Sequence, residues 1–481
     1  CLTLTVDEIN HIQRHYHDKN AAANRAEKNL PAQPTDVEIE IIAQSWSEHC
    51  KHKIFSAAIT YTNETGATTD INSLYKTYIK GATKQIEKQR GIDWLISVFE
   101  DNAGIVRFDG KIDLCIKAET HNSPSALDPY GGALTGILGV NRDILGCGLG
   151  ALPIANTDVF CFAPSDLPVT LGAENMPAKL KEPKRIFEGV HLGVEDGGNK
   201  SGIPTVNGAI FFDQDYAGKP LVFCGTIGTM PRRLDDGRAA AEKQAQNGDR
   251  IFMAGGAIGA DGIHGATFSS LALDENAPAT AVQIGDPLTQ KRLTSFLLEA
   301  RDKGLYSSVT DNGAGGLSSS IGEMALQSGG AEIELAQCPV KYPGLQPYEL
   351  MISESQERMS FAVPPQHAAD FLALAKIHGV EATDIGFFKD DGFLTIHYHG
   401  KIAAELDLDF LHNSLPQMTL QAVWNGGQAR KAWHKENTAI QELPQPEANG
   451  AFIKTALLTL LGAPNIASKE KWVRRYDHEV Q

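Results

Sequence analysis

DLCIKAETHNS, residues 113–123, is a strand-like segment that ends in a dense group of ionisable and hydroxyl side chains. Side chains alternate between the two faces of a β-strand, so Lys117, Glu119 and His121 are predicted to project from the same face. Three ionisable groups on one face would be costly inside an ordinary core. The segment therefore predicts either a functional face or a solvated face on which Lys117 pairs with Glu119.

A glycine-rich tract follows at residues 130–150, with the sequence YGGALTGILGVNRDILGCGLG. Glycines allow backbone N–H groups to approach phosphate oxygens, and Arg142 would offer an anion a bidentate contact. The tract therefore predicts an anion-binding loop. The alternative is a set of tight turns that bind nothing.

A third cluster lies at residues 310–318, with the sequence TDNGAGGLS, and leads into a predicted helix. An acidic residue followed by glycines and a helix N-terminus is a suitable place for Mg²⁺ together with phosphate. Glu119, Asp143 and Asp311 would share such sites if the fold gathers them. Alternatively, Asp311 is an ordinary turn residue.

Residues 353–359 (SESQERM) predict a strand with polar groups toward a substrate, or else an exposed edge strand.

Three further motifs are rejected. Residues 193–201 differ from a phosphate-binding P-loop at Asn199, where lysine is required. The HCKH string at 49–52 lacks the second pair of ligands that a zinc site needs, and no cysteine has the context of a glutaminase nucleophile.

The composition bounds the class of protein. A chain of 481 residues, 42% hydrophobic and 21% charged, predicts about three domains. Its net charge of −16 argues against a nucleic-acid partner. No apolar run approaches the roughly 20 residues of a membrane span, and the first residues do not resemble a secretory signal. Seven cysteines without paired spacing predict reduced thiols in a cytoplasmic protein.

Local patterns predict several helices and strands. Thr5 with Glu8, and Thr35 with Glu38, form capping-box patterns that predict two N-terminal helices, the second ending near residues 47–50. The polar, proline-containing residues 21–34 between them predict a loop. Strands are predicted at 113–119, 221–227 and 250–254, and helices around 293–300, 368–375 and 451–461.

Taken in order, these motifs resemble the phosphoribosylformylglycinamidine synthase family from about residue 36 to the end of the chain. The SEHC and SESQER strings are specific to that family. The resemblance is carried by residues 47–53 (SEHCKHK), 117–122 (KAETHN), 139–143 (GVNRD), 197–205 (GGNKSGIPT), 261–266 (DGIHGA), 283–286 (QIGD), 311–316 (DNGAGG) and 353–359 (SESQERM).

The resemblance implies an α+β fold like that of aminoimidazole ribonucleotide synthetase, with an ATP-binding N-terminal αβ domain followed by a smaller αβ C-terminal domain. In full enzymes of the family this pair is duplicated, and the chain would hold the first pair. The implied segments are a helical segment and linker at 1–55, the N-terminal domain at 56–235, the C-terminal domain at 236–408, a linker at 409–450 and the start of a second repeat at 451–481.

The resemblance also implies residue roles. It makes His49 and His121 catalytic, His52 and Lys117 ATP contacts, and Glu119, Asp143 and Asp311 magnesium ligands. The implied substrate contacts are Thr120, His121, Asn122, Ser123, Arg142, Gln283, Glu354, Ser355 and Gln356. The sequence departs from the family at Ser123, where many members have histidine, and at His52, where short-form members have tyrosine.

The implied reaction is the ATP- and Mg²⁺-dependent conversion of formylglycinamide ribonucleotide to formylglycinamidine ribonucleotide in de novo purine biosynthesis. The amide oxygen is phosphorylated, and ammonia from glutamine then attacks. The implied partners are a glutaminase subunit or domain and the missing second half. The alternatives are another ATP-dependent member of the superfamily, such as aminoimidazole ribonucleotide synthetase, and a non-catalytic nucleotide-binding scaffold.

Overall fold

The computed structural model describes residues 4–168, 181–265, 282–283, 285–426 and 450–474. These described residues divide into two compact units, the first made of those within 4–50 and 93–416, the second of those within 51–92, 417–426 and 450–474. The second unit combines residues that the sequence analysis assigned to different segments, and the predicted segment boundaries stay predictions. Within the described residues, no helix has both the length and the apolar character needed to cross a membrane.

The N-terminal helices follow from their capping residues. Both predicted capping boxes are present, because the Thr5 and Thr35 hydroxyls accept from the N3 backbone and the N3 glutamates reach back to the cap. The first unit begins with helices α1 (Val6–Tyr16), α2 (Lys19–Glu27), α3 (Asp36–Ser45) and α4 (Glu48–Lys51), the last of which ends at the unit boundary.

The loop predicted over residues 21–34 is wrong in its first part, which forms helix α2. Asp18 caps this helix by accepting from the backbone N–H groups of Asn20 and Ala21. Arg25 then turns inward and pairs with buried Glu38 at 2.8 Å. The buried ion pair and the cap stabilise this polar helix. Neither of them requires an apolar stripe, so the helix has no hydrophobic periodicity from which it could be predicted.

The first sheet has six strands in the order β3-β4-β5-β8-β6-β7, all antiparallel except the β6–β7 pair. The strands predicted at 113–119 and 221–227 are confirmed as β5 and β8. The sheet and its helices are β3 (Leu95–Ser97), β4 (Gly104–Arg107), β5 (Ile112–Thr120), α6 (Asn122–Leu127), α7 (Pro129–Leu145), β6 (Leu152–Phe162), α8 (Pro183–Ser201), β7 (Thr205–Phe212) and β8 (Leu221–Pro231). A continuous core that includes Ile105, Ile144, Phe252 and Phe296 joins this sheet to the second one.

Within the described residues, the second sheet has seven strands in the order β10-β12-β9-β13-β11-β14-β15, and only the β11–β14 pair is parallel. The predicted strand at 250–254 and the helices around 293–300 and 368–375 are confirmed. The elements are β9 (Arg250–Gly255), α9 (Pro287–Asp302), β10 (Ser308–Asp311), α10 (Gly316–Ser328), β11 (Gly330–Glu334), α11 (Pro347–Ile352), β12 (Arg358–Val363), α12 (Ala368–His378), β13 (Ala382–Lys389), β14 (Phe393–Tyr398), β15 (Lys401–Asp407) and α13 (Leu408–Asn413).

The second unit contains a three-stranded sheet in the order β16-β1-β2 and several helices. The helix predicted around 451–461 is confirmed as α14. The elements are β1 (Ala58–Thr62), β2 (Thr68–Asn72), a π-helical turn (Tyr75–Lys80), α5 (Gly81–Arg90), β16 (Thr419–Val423), α14 (Gly450–Gly462) and α15 (Glu470–Val473). Most of the predicted linker at 409–450 lies outside the described residues.

The glycine-rich tract at 130–150 is mainly a helix, so both the anion-binding loop and the set of tight turns are wrong for most of it. Asp128 caps α7 and Pro129 occupies its first turn. The partner helix α8 carries Gly189, Gly193 and Gly197 at helical spacing on the face that meets α7. These glycines let the two backbones approach closely, so their role is packing.

The SESQERM segment is also different from its prediction, because it is neither a strand over its whole length nor an exposed edge. Residues 353–357 form a buried connection, and β12 begins only at Arg358, between β10 and β9 in the sheet. The guanidinium of Arg358 holds the connection in place by donating to the carbonyls of Ser353 at 2.5 Å and Ser355 at 2.7 Å.

Close packing of α7 on α8 should make Gly193 intolerant of a side chain. A Cβ at this position would lie 2.5 Å from the carbonyl oxygen of Tyr130. We expect Gly193→Ala to lower the free energy of unfolding by about 1–3 kcal/mol, the usual cost of overpacking. The measurement is denaturant unfolding of the purified chain.

Gly322→Ala is the matched control, since it adds the same methyl group inside helix α10. The nearest atom to that methyl would be 3.8 Å away, on His412. The control should be neutral or stabilising by up to about 1 kcal/mol, because alanine is the better helix former. Equal stability losses in the two variants would contradict the close approach of α7 and α8.

Buried Asp158 on β6 should make stability depend on pH. Burial raises the pKa of its carboxyl to about 6, although hydrogen bonds from Thr205 and Cys224 act in the opposite direction. The unfolded carboxyl ionises near pH 4, so stability falls as the pH rises toward and through 6. Asp158→Asn should therefore stabilise the fold at pH 8, by about 3 kcal/mol at most, and by less at pH 5. Thermal unfolding at the two pH values tests this, and a larger gain at pH 5 would contradict it.

Candidate active site

The first unit contains a cavity of about 710 Å³ where the ends of several elements meet. The end of β5, the middle of α7, the turn between β10 and α10 and the buried connection 353–357 each supply part of its lining. These segments are far apart in sequence, and every one of them contains a motif of the sequence analysis. The fold therefore brings most of the predicted site residues to one cavity.

The three carboxylates predicted to bind magnesium all line this cavity. The ammonium of Lys117 lies 3.0 Å from a carboxylate oxygen of Glu119 and 3.2 Å from one of Asp143. The amide of Asn102 donates to Asp143 at 3.2 Å and to Asp311 at 2.8 Å. One cation and one amide thus link the three acidic side chains into a single cluster.

The cluster carries an excess of negative charge in a poorly solvated place. Burial raises the pKa of Asp143 well above its ordinary value, and the neighbouring carboxylates of Asp311 and Glu119 raise it further. Burial alone would lower the pKa of Lys117, but Asp143 and Glu119 outweigh it and raise that pKa. The lysine therefore stays charged, and a further cation would be stabilised beside Asp143.

The donor set fits Mg²⁺, which usually takes one or two carboxylates and completes its shell with water and substrate phosphates. No group of three or more histidine, cysteine or acidic residues among the described residues is spaced to hold a metal ion by itself. Lys117 and Asn102 each contact one carboxylate oxygen of Asp143. The cluster is thus suited to a cation that arrives with a phosphate ligand, and the magnesium role of its members stays a prediction.

His121 lies at the start of α6 and lines the cavity. Its Nδ1 is hydrogen-bonded to the carbonyl of Gly132. Because a carbonyl only accepts, Nδ1 carries the proton and Nε2 keeps its lone pair. Burial lowers the pKa of His121, although the Gly132 carbonyl and Glu119 raise it, so the imidazole is neutral and able to accept a proton at Nε2.

Two residues of α4, His49 and Cys50, also line the cavity. The electrostatic effect of His49 on the neighbouring His121 is to lower the pKa of that imidazole. Burial raises the pKa of the Cys50 thiol. His52, the predicted ATP contact, belongs to the second unit and is not part of the lining. Its role stays a prediction.

The predicted substrate contacts Arg142, Gln283, Glu354 and Gln356 form a connected network in the cavity wall. Arg142 donates to Gln356 at 2.8 Å and lies 3.4 Å from Asp311. Gln283 donates to Glu354 at 2.7 Å, and the backbone N–H of Gly315 donates to the same carboxylate at 3.2 Å. The network ties the turn after β10 to the connection before β12.

The other predicted substrate contacts fall into two groups, one that lines the cavity and one that does not. Thr120 lines the cavity, whereas Asn122, Ser123 and Ser355 do not. Asn122 accepts from the backbone N–H of Val222 at 2.8 Å, and Ser123 is only 1% exposed. Ser355 donates to Asp261 at 2.7 Å. These three side chains support the cavity wall, and any direct contact with a substrate stays a prediction.

Several polar residues of the cavity were not predicted from the sequence, and Asn102 and Lys243 are two of them. Asn102 follows two acidic residues in a loop before β4, and Lys243 lies in the segment between β8 and β9. Neither position belongs to a motif with a mechanistic spacing. Their alignment with the carboxylates arises from long-range folding, so no local signal was available to find them.

Comparison with known proteins agrees with this architecture. Residues 1–53 match the formylglycinamide ribonucleotide amidotransferase linker domain. Residues 100–230 and 246–399 match the N-terminal and C-terminal domains of the AIR synthase related proteins. The two AIR synthase related matches cover most of both sheets, and so include most of the cavity lining.

Several curated relatives carry the name phosphoribosylformylglycinamidine synthase subunit PurL. The Thermoplasma acidophilum subunit is 33% identical over all of this chain and 56% of its own length. The Salinibacter ruber subunit is 36% identical over 93% of this chain and 53% of its own length. The chain thus spans about half the length of the curated relatives it matches.

Solved structures show the same likeness. PurL of T. maritima, solved in complex with FGAR, is 29% identical in sequence, and the TM-score is 0.62. The match covers 82% of this chain and 55% of the T. maritima chain. The PurLQS structure of the same organism matches 82% of this chain at 27% identity, with a TM-score of 0.59. The chain therefore belongs to the phosphoribosylformylglycinamidine synthase family and has the α+β fold of the AIR synthase related proteins.

Proposed function

We propose that the chain forms part of an ATP-dependent carbon–nitrogen ligase that converts formylglycinamide ribonucleotide to formylglycinamidine ribonucleotide. Glutamine would be the amido donor through a glutaminase. The observation that carries the proposal is the convergence of Glu119, Asp143 and Asp311 with Lys117 and His121 on one cavity of a PurL-like fold. T. maritima PurL has been solved with FGAR and with ATP, which supports both substrates.

The substrate amide is a poor electrophile because resonance donates electron density to its carbonyl carbon. ATP would supply the phosphoryl group that turns the amide oxygen into a leaving group, and Mg²⁺ would neutralise charge on the triphosphate. Glu119, Asp143 and Asp311 would hold the metal. Lys117, already fixed between two carboxylates, would contact the phosphates, and His52 is the second proposed ATP contact.

Proton transfer is assigned to the histidines. Ammonia that adds to the activated carbon must lose a proton, and His121 offers a neutral Nε2 for it. The Gly132 carbonyl fixes the orientation of the ring. General base catalysis of this kind contributes roughly 10²–10⁴-fold to the rate. His49, on the same cavity, is the second proposed catalytic histidine.

The ribonucleotide would bind against the Arg142 network. The Arg142 guanidinium is only 2% exposed and is held by Gln356 and Asp311. This orientation suits a planar, bidentate contact with an anionic group of the substrate. Thr120, Gln283 and Glu354 line the same cavity, and Asn122, Ser123 and Ser355 are the remaining proposed contacts.

The proposed partners follow from the family. The PurLQS structure shows that a PurL subunit is found in an assembly with other components. We propose a glutaminase subunit or domain as the ammonia source, and a second synthetase-like half that corresponds to the rest of the relatives' length. The direct test uses the full-length protein, formylglycinamide ribonucleotide, ATP and ammonium, with ADP release as the measurement. Absence of ADP release with this substrate, but release with another, would overturn the proposal.

His121→Ala should reduce turnover of the full-length protein by roughly 10²–10⁴-fold with ammonium as the nitrogen donor, because proton transfer is lost. ADP affinity should change by less than threefold. Steady-state kinetics and calorimetry measure the two quantities. A variant that keeps near-normal turnover would show that His121 is not the base, and a parallel loss of ADP binding would point to a structural role.

Arg142→Lys should raise the KM for the ribonucleotide by about tenfold or more, because lysine lacks the planar fork that serves two partners at once. The affinity for ADP should change much less. Lys200→Arg is a suitable control, since Lys200 forms an exposed pair with Asp196 on α8. An unchanged KM in Arg142→Lys would remove this residue from the substrate site.

A further inference from the structure

Asn102 has an unusual position in the acidic cluster, because a single side-chain amide serves two carboxylates. Its Nδ2 donates to Asp143 at 3.2 Å and to Asp311 at 2.8 Å. The two carboxylates come from different layers of the fold, Asp143 from α7 and Asp311 from the end of β10. The NH₂ group has two hydrogens, so both of its donors are used within the cluster.

Lys243 fixes which way this amide faces, together with the Thr310 hydroxyl, which donates to the same oxygen at 3.3 Å. The Lys243 ammonium donates to the Asn102 carbonyl oxygen at 3.2 Å. It also donates to the backbone carbonyls of Gly146 at 2.6 Å and Val309 at 3.1 Å, and pairs with Asp101 at 2.6 Å. An ammonium has no acceptor, so it must face the oxygen of the amide, and the NH₂ is then directed at the carboxylates.

The backbone of α7 is adapted to this arrangement. A Cβ at position 146 would lie 3.0 Å from Nδ2 of Asn102 and 3.3 Å from the backbone nitrogen of Asp311. A glycine at the end of α7 therefore lets the amide reach between the two carboxylates. Lys243 anchors the same point, because it binds the carbonyl of that glycine and the strand β10 that carries Asp311.

Asp143 and Asp311 repel each other, and a shared pair of N–H donors offsets that repulsion while fixing the separation of the oxygens. Water would satisfy the same oxygens but would not hold them at one distance. Partners that orient metal-binding side chains typically change metal affinity by 10–100-fold when they are removed. The bridging amide is therefore placed to control how the two carboxylates receive a cation.

We propose that Asn102, oriented by Lys243, is the positioning residue that sets the spacing of Asp143 and Asp311 for a divalent cation bound with nucleotide phosphate. This inference rests on the proposed function for the identity of the nucleotide, but it is tested by binding alone. It assigns the loop before β4 to the cation site.

The test is calorimetric titration of the full-length protein with Mn²⁺ and ADP, using Asn102→Ala, Lys243→Met and the double variant. Asn102→Ala should weaken Mn²⁺-dependent ADP binding by about 10–100-fold. The double variant should bind no more weakly than Asn102→Ala, because Lys243 acts through the amide. Thermal unfolding of each variant reports whether the fold persists.

Asn156→Ala is the matched control, since it removes another buried asparagine that also contacts α7. Asn156 donates to Asn141 at 2.9 Å and to Thr226 at 2.8 Å, and it contacts no carboxylate of the cluster. The control should lower the unfolding temperature and leave Mn²⁺-dependent ADP binding within about twofold. A merely structural Asn102 would behave in the same way.

The outcomes separate the two proposals. Equal Mn²⁺-dependent ADP binding by the wild-type protein and Asn102→Ala would overturn the inference even if the ligase reaction is observed. Weakened binding in Asn102→Ala without turnover of formylglycinamide ribonucleotide by the wild-type protein would support the inference and count against the proposed function. Absence of Mn²⁺-dependent ADP binding by the wild-type protein would overturn both.

Discussion

The site depends on keeping several negative charges close together in a place with little water. Asp143 is the critical member, because burial and two neighbouring carboxylates all act against its ionised form. The Lys117 ammonium and the Asn102 amide offset this unfavourable charge by contacting the Asp143 carboxylate. Both groups are part of the protein and are held in place by their own neighbours. The resulting cluster is preorganised, so little rearrangement is needed when charge changes in the cavity.

The same constraint explains why the two sheets must be joined by one core. Asp143 lies on a helix packed against the first sheet, whereas Asp311 ends a strand of the second. Small shifts between the layers would separate these carboxylates or force them together. The core that includes Ile144, Phe252 and Phe296 fixes the layers, and its packing is therefore part of the electrostatics of the site.

How far the sequence could predict this molecule depended on whether the signal was local. The capping boxes at Thr5 and Thr35 and the strand through Lys117 are set by side chains a few residues apart, and they were predicted correctly. The tract at 130–150 was not, because its helix is stabilised by packing against α8 that no short window contains. The carboxylates of the site lie in sequence motifs and were predicted from them. Neither residue spacing nor composition indicated Asn102 and Lys243. Their positions follow from the tertiary fold.

The hydrogen bond between His121 and the Gly132 carbonyl restricts how the imidazole can be used during a reaction cycle. With Nδ1 committed to a backbone acceptor, a proton taken up at the far nitrogen has no second exit through the ring. It must leave by the path along which it arrived. In its proposed role as a base, the histidine would therefore take up and release a proton at Nε2 alone, and relay across the ring to Nδ1 is closed.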